Sequence, residues 1–433
     1  MRKALQYGIL FALLAIATLL LSEITLRLYP GPWNPPRFWV NGKHPGIIDP
    51  DVGPWNKPNF VGSYRRKEFF VRNIHWNQFG MRDKPRTLEK SPGIKRLAVL
   101  GDSFMEAVQV ADDQTMASLL EEKLLPEWEV LNFGKGGIGT CEEYLVYQHK
   151  VRAFQPDVVV LVFWPGNDVL NNSIDLVEGP AGHRKKLIHP YFIKDSVSGE
   201  FRLKPASTNP DLPPVEKNFR YYLKKYTALY RFWRYFRDTW QPQFKEKLQR
   251  ERLEGVAKAT TAGEGAKDET PFALKWKGYG VYCPPIGDWI KAWETTKWCL
   301  GKLKEATEED GASFLVVSIP PVIDTIGRTE ALEKSIGETV PQGFSWNLPA
   351  RRLKSMAQEL GAHFLDLTPG FIQYAHEKAC SPPCFFWKED GHWNELGHEV
   401  AAQLVYDYLK SSGLLQDSIP LQTQEMSTAH TID

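Results

Sequence analysis

The residue types needed for acyl transfer occur near the two ends of one folded region. A serine, a histidine and a nearby carboxylate can act as nucleophile, general base and orienting group. Ser103 follows the apolar run 97–100, and His392 comes shortly after Glu389 and Asp390. Asp390 is favoured as the group that orients His392, and Glu389 is the alternative. Taken alone, Ser103 fits equally well as the cap of a following helix.

The oxyanion of an acyl intermediate needs two or three hydrogen-bond donors. The sequence offers the backbone N–H groups of Ser103 and Gly137 and the side-chain amide of Asn167. Glycine at 137 suits this role, because a side chain there would obstruct a substrate. Asp102 and Asp168 flank two of these positions and are expected to tie loops by Asx-type hydrogen bonds.

Alternating apolar runs and helical patterns predict the elements that position these residues. Short strands are expected at 96–100, 129–132, 157–163, 313–318 and 363–367, and helices at 115–123, 142–154, 289–303, 350–359 and 395–409. Strand and helix alternation of this kind predicts an α/β fold with a parallel sheet. Ligands of such sheets bind beyond the carboxyl ends of the strands, where three of the four polar clusters begin.

The motifs GDSF (101–104), NxGxxG (132–137), GND (166–168) and DGHWN (390–394) occur in this order. They resemble blocks I, II, III and V of the SGNH (GDSL-type) hydrolase superfamily, and the chain resembles its membrane-anchored bacterial branch. The resemblance covers about 93–175 and 285–412. It implies a three-layer α/β/α, flavodoxin-like domain, ester chemistry on acyl groups, often on a carbohydrate, and no metal or organic cofactor. Its named residues correspond to Ser103, Gly137, Asn167 and His392.

Two positions depart from the pattern of the superfamily. Phe104 stands where the name-giving motif has leucine, and we expect this to affect packing only. Asp390 precedes His392 by two residues instead of three. The shorter spacing also occurs in similar carbohydrate O-acetyltransferases such as the alginate acetylation proteins.

The N-terminal segment, 1–29, predicts a transmembrane signal-anchor. Arg2 and Lys3 precede an uncharged run from Ala4 to Ser22, and its 19 residues span about 28 Å as a helix. A cleaved signal peptide and a buried core helix are the alternatives. The basic pair keeps the N-terminus cytoplasmic, so the rest of the chain is expected on the periplasmic or extracytoplasmic side of the inner membrane.

The remaining chain divides by composition. We expect a proline-rich extended stalk or wrapping arm at 30–92, the SGNH domain in two parts at 93–175 and 286–412, an insertion or cap at 176–285, and a C-terminal tail at 413–433. The insertion predicts a hairpin around Ser198 and a basic, aromatic helix over 219–240. That helix fits packing as a cap, or contact with anionic headgroups or an acidic glycan.

Charge and cysteine usage exclude several classes. Lys and Arg number 53 against 52 Asp and Glu, which gives no field to attract a nucleic acid. The chain contains no CxxC motif of the kind that binds zinc. The glycine-rich segment around Lys135 lacks the lysine directly before Ser or Thr that a nucleotide-binding P-loop requires. Cys380 and Cys384 are candidates for a disulfide. Cys283 and Cys299 are a second candidate pair, which would leave Cys141 unpaired. The sequence alone cannot fix the connectivity.

The sequence thus predicts an SGNH-type serine esterase or O-acyltransferase that acts on acyl esters, with acetyl favoured, of an envelope or extracellular carbohydrate. A transferase would require a separate membrane protein to deliver the acyl group. The alternative is a non-catalytic SGNH fold that binds glycan or assists envelope assembly. Nothing in the residues separates hydrolysis from transfer.

Overall fold

Strands and helices are described in the computed structural model for residues 2–28, 45–66, 68–177, 188–207, 223, 227–236, 277–321, 329–336, 339–380, 384–388 and 390–416. The strands are β1 (Gly46–Asp49), β2 (Gly53–Asn56), β3 (Val61–Arg65), β4 (Phe70–His75), β5 (Lys95–Gly101), β6 (Trp128–Asn132), β7 (Val158–Phe163), β8 (Tyr191–Lys194), β9 (Phe201–Lys204), β10 (Ser313–Ser318) and β11 (His363–Asp366). The helices are α1 (Arg2–Leu28), α2 (Ser103–Glu106), α3 (Met116–Leu124), α4 (Thr140–Val146), α5 (Asp168–Asn171), α6 (Ala228–Tyr235), α7 (Lys277–Gly280), α8 (Asp288–Glu309), α9 (Thr329–Ile336), α10 (Leu348–Leu360), α11 (Thr368–Glu377) and α12 (Glu395–Ser411).

The central sheet has five parallel strands in the order β6-β5-β7-β10-β11. Counted along the chain within this sheet, the order is 2-1-3-4-5, which is that of flavodoxin-like folds. The order reverses between β5 and β7, so the loops after these two strands flank the ligand crevice expected of such a sheet. The predicted parallel α/β fold is confirmed, and strand 313–318 agrees residue for residue.

Successive residues of the strands pack on opposite faces of the sheet. Leu97 and Val99 of β5 face a layer formed by α3, α11 and α12. Ala98 and Leu100 face a second layer formed by α4, α8 and α10. Each fully buried aliphatic side chain of this kind stabilises the fold by about 1.5–3 kcal/mol. The three predicted layers are therefore present, and the sheet holds the site loops rigidly at its carboxyl edge.

One predicted helix, 142–154, differs from a regular α-helix. The α-helix ends at Val146 and continues as a π-turn over Tyr147–Val151 and a 3₁₀ turn over Arg152–Phe154. Tyr147 remains fully buried and its hydroxyl donates a hydrogen bond to Asp310 at 2.7 Å. The segment 142–154 therefore still packs against the sheet as predicted, although only its first part is a regular α-helix.

Residues 45–92 pack against the sheet domain, and the expectation of an extended stalk is wrong for this part. They form two antiparallel hairpins, β1–β2 and β3–β4. The buried Arg82 donates hydrogen bonds to the carbonyl oxygens of Glu106 and Val110, at 2.7 and 2.6 Å. The buried Arg86 pairs with Glu121 at 2.7 Å. The segment is thus the wrapping arm of the two alternatives, since its arginines satisfy buried groups of the domain.

The N-terminal helix α1 contains a span, Gln6–Leu28, that is apolar and long enough to cross a membrane and that has no fully buried residue in its most apolar part among the described residues. Of the insertion, the predicted hairpin is confirmed as β8–β9 and packs by Phe192 and Phe201 on Trp298 of α8. The aromatic helix is described as α6, and the rest of 219–240 apart from 223, 227 and 236 lies outside the described residues. That the insertion forms a cap stays a prediction.

Two disulfides join described cysteines. Cys380 bonds to Cys384, as the sequence suggested. Cys141 of α4 bonds to Cys299 of α8, so the second candidate pairing is wrong, and Cys283 is the free and buried thiol. Packing of α4 against α8 decides the pairing, since it brings two residues 158 positions apart to a Cα–Cα distance of 5.2 Å.

Candidate active site

Ser103 lies at the first position of α2, directly after β5. The side chain of Asp102 caps this short helix by accepting the Phe104 N–H at 2.9 Å. Capping is therefore done by Asp102, and the Ser103 hydroxyl is left for another partner. It lies 2.8 Å from Nε2 of His392 and 3.3 Å from Oδ2 of Asp102.

His392 is held from its other ring nitrogen. Nδ1 lies 2.6 Å from Oδ1 of Asp390, so Asp390, Ser103 and His392 form one continuous hydrogen-bonded chain. Such a chain lets Nε2 accept a proton from a serine hydroxyl while the carboxylate stabilises the imidazolium. Asp390, the favoured candidate, thus contacts His392, and its role as orienter stays a prediction. Glu389 lies outside the described residues.

Asp390 is almost completely buried, with its side chain 1% exposed. Burial raises its pKa, but the hydrogen bond and charge of His392 and the charge of Arg66 more than offset this, so its pKa lies below the usual range. Arg66 Nε lies 3.0 Å from Oδ2, and Gln109 donates a hydrogen bond to Oδ1 at 3.2 Å. Asp390 is therefore ionised at neutral pH, with hydrogen bonds at Oδ1 and an ion pair at Oδ2.

The three predicted oxyanion donors lie on the loops after β5, β6 and β7. Within the described chain, neither the Ser103 N–H nor the Gly137 N–H donates a hydrogen bond to another group. The Asn167 amide donates to Asp102 at 2.9 Å, which holds it beside Ser103. Two backbone donors are consequently available to a ligand, next to an amide with one remaining N–H.

Gly137 adopts a φ of +86°, which favours glycine, and a Cβ built on it would meet no atom within 4 Å. The space beside it is therefore open to a substrate. The preceding Gly136 lies close to the serine, since a Cβ there would be 3.4 Å from Ser103 Cβ. Its N–H donates to Glu106 at 2.7 Å, and Glu106 pairs with Lys135 at 3.2 Å. This buried pair sets the orientation of the 135–137 loop.

Phe104 contacts the site directly. Its ring lies 5.0 Å from the His392 ring and 5.1 Å from the rings of both Trp164 and Trp393, measured between centroids. These contacts are consistent with the expectation that phenylalanine in place of the leucine of the motif affects packing. The Phe104 ring also packs on the imidazole of His392.

Buried carboxyl groups lie behind the site. Asp102 and Asp168 are fully buried. Asp102 makes the expected Asx-type bond to the Phe104 N–H, whereas Asp168 ties its loop by accepting the N–H of Trp164, four residues earlier, at 2.8 Å. Neither oxygen of the fully buried Glu143 has a hydrogen-bond partner among the described residues. Burial, and then the neighbouring acidic groups, raise the pKa of Glu143 and Asp168 well above the usual range. Both groups therefore keep their protons to a higher pH than an exposed carboxyl group does.

Sequence reasoning missed Arg66, Gln109 and the pair of Glu106 with Lys135. Lys135 occupies a variable position of the NxGxxG motif, and the other three residues belong to no motif of the site. No periodicity marks these residues, and only the fold brings them to the site. Among the described residues no group of His, Cys, Asp or Glu could hold a metal ion.

The sheet order and the convergence of the four block residues decide the architecture. It is a parallel α/β sheet with the strand order of flavodoxin-like folds, in agreement with the fold that the motif resemblance implies. No family model matches the sequence, and no curated protein matches it.

Several solved structures are similar to this chain. TesA is 12% identical, with 74% of this chain and 100% of TesA covered and a TM-score of 0.35. The acetyl xylan esterase AlAXEase is 11% identical, with 72% and 99% covered and a TM-score of 0.35. A catalytic mutant of the acetylxylan esterase Axe2 from Geobacillus stearothermophilus is 13% identical, with 76% and 97% covered and a TM-score of 0.35. At such TM-scores these structures carry no argument about chemistry, which is inferred from the side chains of this protein.

Proposed function

We propose that this chain is a membrane-anchored serine esterase or O-acyltransferase of the SGNH type, with its catalytic domain outside the cytoplasm. The observation that carries the proposal is the hydrogen-bonded chain from Asp390 through His392 to Ser103, at 2.6 and 2.8 Å. It ends on a serine next to two backbone N–H groups that donate to no other described group. A binding module needs neither a nucleophile nor a base.

In the proposed reaction, Ser103 Oγ attacks the acyl carbonyl and His392 Nε2 takes the hydroxyl proton. The Ser103 and Gly137 N–H groups and the Asn167 amide stabilise the oxyanion of the tetrahedral intermediate. When the intermediate collapses, His392 returns the proton to the leaving alcohol and the acyl-enzyme remains. Water then gives hydrolysis, whereas a sugar hydroxyl gives transfer, and either acceptor loses its proton to His392.

Two features support the extracytoplasmic location. The span Gln6–Leu28 follows the basic pair at positions 2 and 3, which favours a cytoplasmic N-terminus. The disulfides of Cys141 with Cys299 and of Cys380 with Cys384 are typical of proteins outside the reducing cytosol. From this location we infer that the acyl group, most simply an acetyl group, is carried by an envelope or extracellular carbohydrate.

The test is active-site labelling of the full chain in detergent with a fluorophosphonate probe. We expect labelling of the parent and loss of labelling in Ser103→Ala and His392→Ala. Ser355→Ala, a change on α10 outside the site, is the matched control and should label normally. A folded parent that does not label would favour the glycan-binding or assembly module, which is the second candidate.

Hydrolysis and transfer are separated by the fate of the acyl group. With p-nitrophenyl acetate as donor, an esterase releases acetate whether or not an oligosaccharide is present. A transferase forms acetylated oligosaccharide at the expense of acetate, and in the membrane it would require a separate protein that supplies the acyl donor.

A further inference from the structure

Helix α6 of the insertion is fastened to the outer end of the membrane-anchor helix α1. The two carboxylate oxygens of Glu23 accept the N–H groups of Ala228 and Leu229, each at 2.8 Å. Glu23 also pairs with Arg27 at 2.8 Å within α1. A side chain of α1 therefore caps the N-terminus of a helix more than 200 residues further along the chain, which fixes where α6 begins relative to α1.

The position of Glu23 gives the depth of α6 in a membrane. Glu23 is the first charged residue after the uncharged run Ala4–Ser22, so it marks the place where α1 leaves the hydrocarbon. Leu19 and Leu20, which line a groove shared with α6, lie three to four residues before it. At 1.5 Å per residue they are about 5–6 Å deeper. Amphipathic helices that lie in the interface bury their apolar face about 5–10 Å into it.

The groove between the two helices is apolar. Its volume is about 740 Å³, within the range of ligand sites, and its walls include Leu19, Leu20, Leu229 and Phe232. Trp233 and Phe236 lie at its edge and are each 50% exposed. Among the described residues of its wall, the charged groups are Glu23 and Arg27, which pair with each other. Most of the other described wall residues are apolar, so the groove favours a hydrocarbon chain over a polar ligand.

We propose that α6 lies in the outer interface of the membrane and that its groove with α1 holds an acyl chain of a bilayer phospholipid. The proposal rests on the membrane anchoring in the proposed function and goes beyond it, since it assigns a lipid site to the insertion. The apolar face of α6 contacts residues 19–27 of α1, so it lies at the same level as the lipid that surrounds this part of the spanning helix. Aromatic side chains such as Trp233 are typical of this level of a membrane.

The test measures the surroundings of a spin label at position 236. Phe236→Cys is labelled in the full chain, reconstituted in nanodiscs of phosphatidylcholine and phosphatidylglycerol, and collisions with oxygen and with the water-soluble nickel reagent NiEDDA are compared. Leu13→Cys in the span and Val197→Cys, 96% exposed on the β8–β9 hairpin, are the matched lipid and water controls. We expect the oxygen to nickel ratio at 236 to approach that at 13 and to exceed that at 197 several-fold.

Three outcomes would overturn the proposal. A ratio at 236 equal to that at 197 places the face in water. Exclusion of both reagents shows that protein covers it. A water-like ratio at 13 shows that α1 does not span the bilayer. Fluorophosphonate labelling of Ser103 is measured on the same samples, so a lipid-like label with an unreactive serine would count against the proposed function alone.

Discussion

Replacing Asp390 with asparagine tests whether this carboxylate sets the protonation state of His392. The two side chains have the same shape, so the contacts of the buried position are kept. Oδ1 of Asp390 lies 2.6 Å from Nδ1 of His392, and Oδ2 lies 3.0 Å from Arg66. The amide removes the negative charge that stabilises the imidazolium. Its NH₂ group also favours the tautomer in which Nε2 carries the proton and cannot accept one from Ser103.

The expected loss follows from these two effects. In serine hydrolases the wrong tautomer lowers kcat by about 10⁴-fold while the geometry stays intact. Because Asp390 is only 1% exposed, water cannot replace its charge, and we expect kcat to fall by about 10³–10⁴-fold. This corresponds to about 4–5.5 kcal/mol of transition-state stabilisation at about 1.4 kcal/mol per factor of ten.

The assay is hydrolysis of p-nitrophenyl acetate by the full chain, with kcat and KM determined separately and thermal melting used to confirm folding. Glu389→Gln is the control, and we expect its kcat to stay close to that of the parent. The reasoning is refuted if Glu389→Gln loses the activity while Asp390→Asn, still folded, keeps most of it. Glu389 would then be the orienter despite the observed contact of Asp390.

Three further predictions concern groups around the site. Arg66→Gln should lower kcat about tenfold, which is the effect of losing one charge-assisted contact. It should also shift the acidic limb of the kcat/KM pH profile to higher pH, because Arg66 helps to keep the pKa of Asp390 low. An unchanged pH profile would show that Arg66 is merely structural. Gly137→Ala should lower kcat/KM more than tenfold by filling the space for the acyl oxygen, whereas Gly361→Ala, with a similar positive φ at the end of α10, should lose only about 1–2 kcal/mol of stability and keep its kcat/KM. Glu143→Gln should make the stability of the protein fall less steeply as the pH rises. The buried Glu143 carboxyl, whose pKa is raised in the folded state, keeps its proton when folded and loses it when unfolded, so the free energy of unfolding falls by about 1.4 kcal/mol per pH unit between the two pKa values. Melting temperatures of the variant that decline from pH 5 to 8 as steeply as those of the parent would contradict this.

The elements of the sheet domain were predictable because each strand is a short apolar run ended by glycine or a polar residue. The run 313–318 is buried on both faces and coincides with β10, and the site motifs follow such runs directly. The structure brings Ser103, His392 and Asp390 into contact as the motifs predicted, and their catalytic roles stay predictions. Local pattern was sufficient here because the fold places every strand end at the same edge.

Contacts between distant segments were not predictable. Arg66 belongs to the wrapping arm, which its prolines and turns predicted to be extended, and it reaches Asp390 more than 300 positions later. The pairing of Cys141 with Cys299 depends on how α4 packs on α8, and sequence spacing carries no information about that packing. Such contacts are set by side-chain complementarity across the fold, which leaves no periodic signal in the chain.

The short spacing of Asp390 and His392 has a conformational explanation. Gly391 lies between them with a φ of +81° and donates its N–H to the Trp387 carbonyl at 2.7 Å. This left-handed residue turns the chain so that the carboxylate of Asp390 folds back to Nδ1 of His392. A residue with a Cβ would pay about 1–2 kcal/mol to adopt this conformation. The glycine therefore makes a two-residue spacing sufficient where the common pattern of the superfamily has three, and the wrapping arm adds Arg66 to the second oxygen of the same carboxylate. The proposed triad of this chain thus depends on a tight turn and on an arm that lies outside the sheet domain.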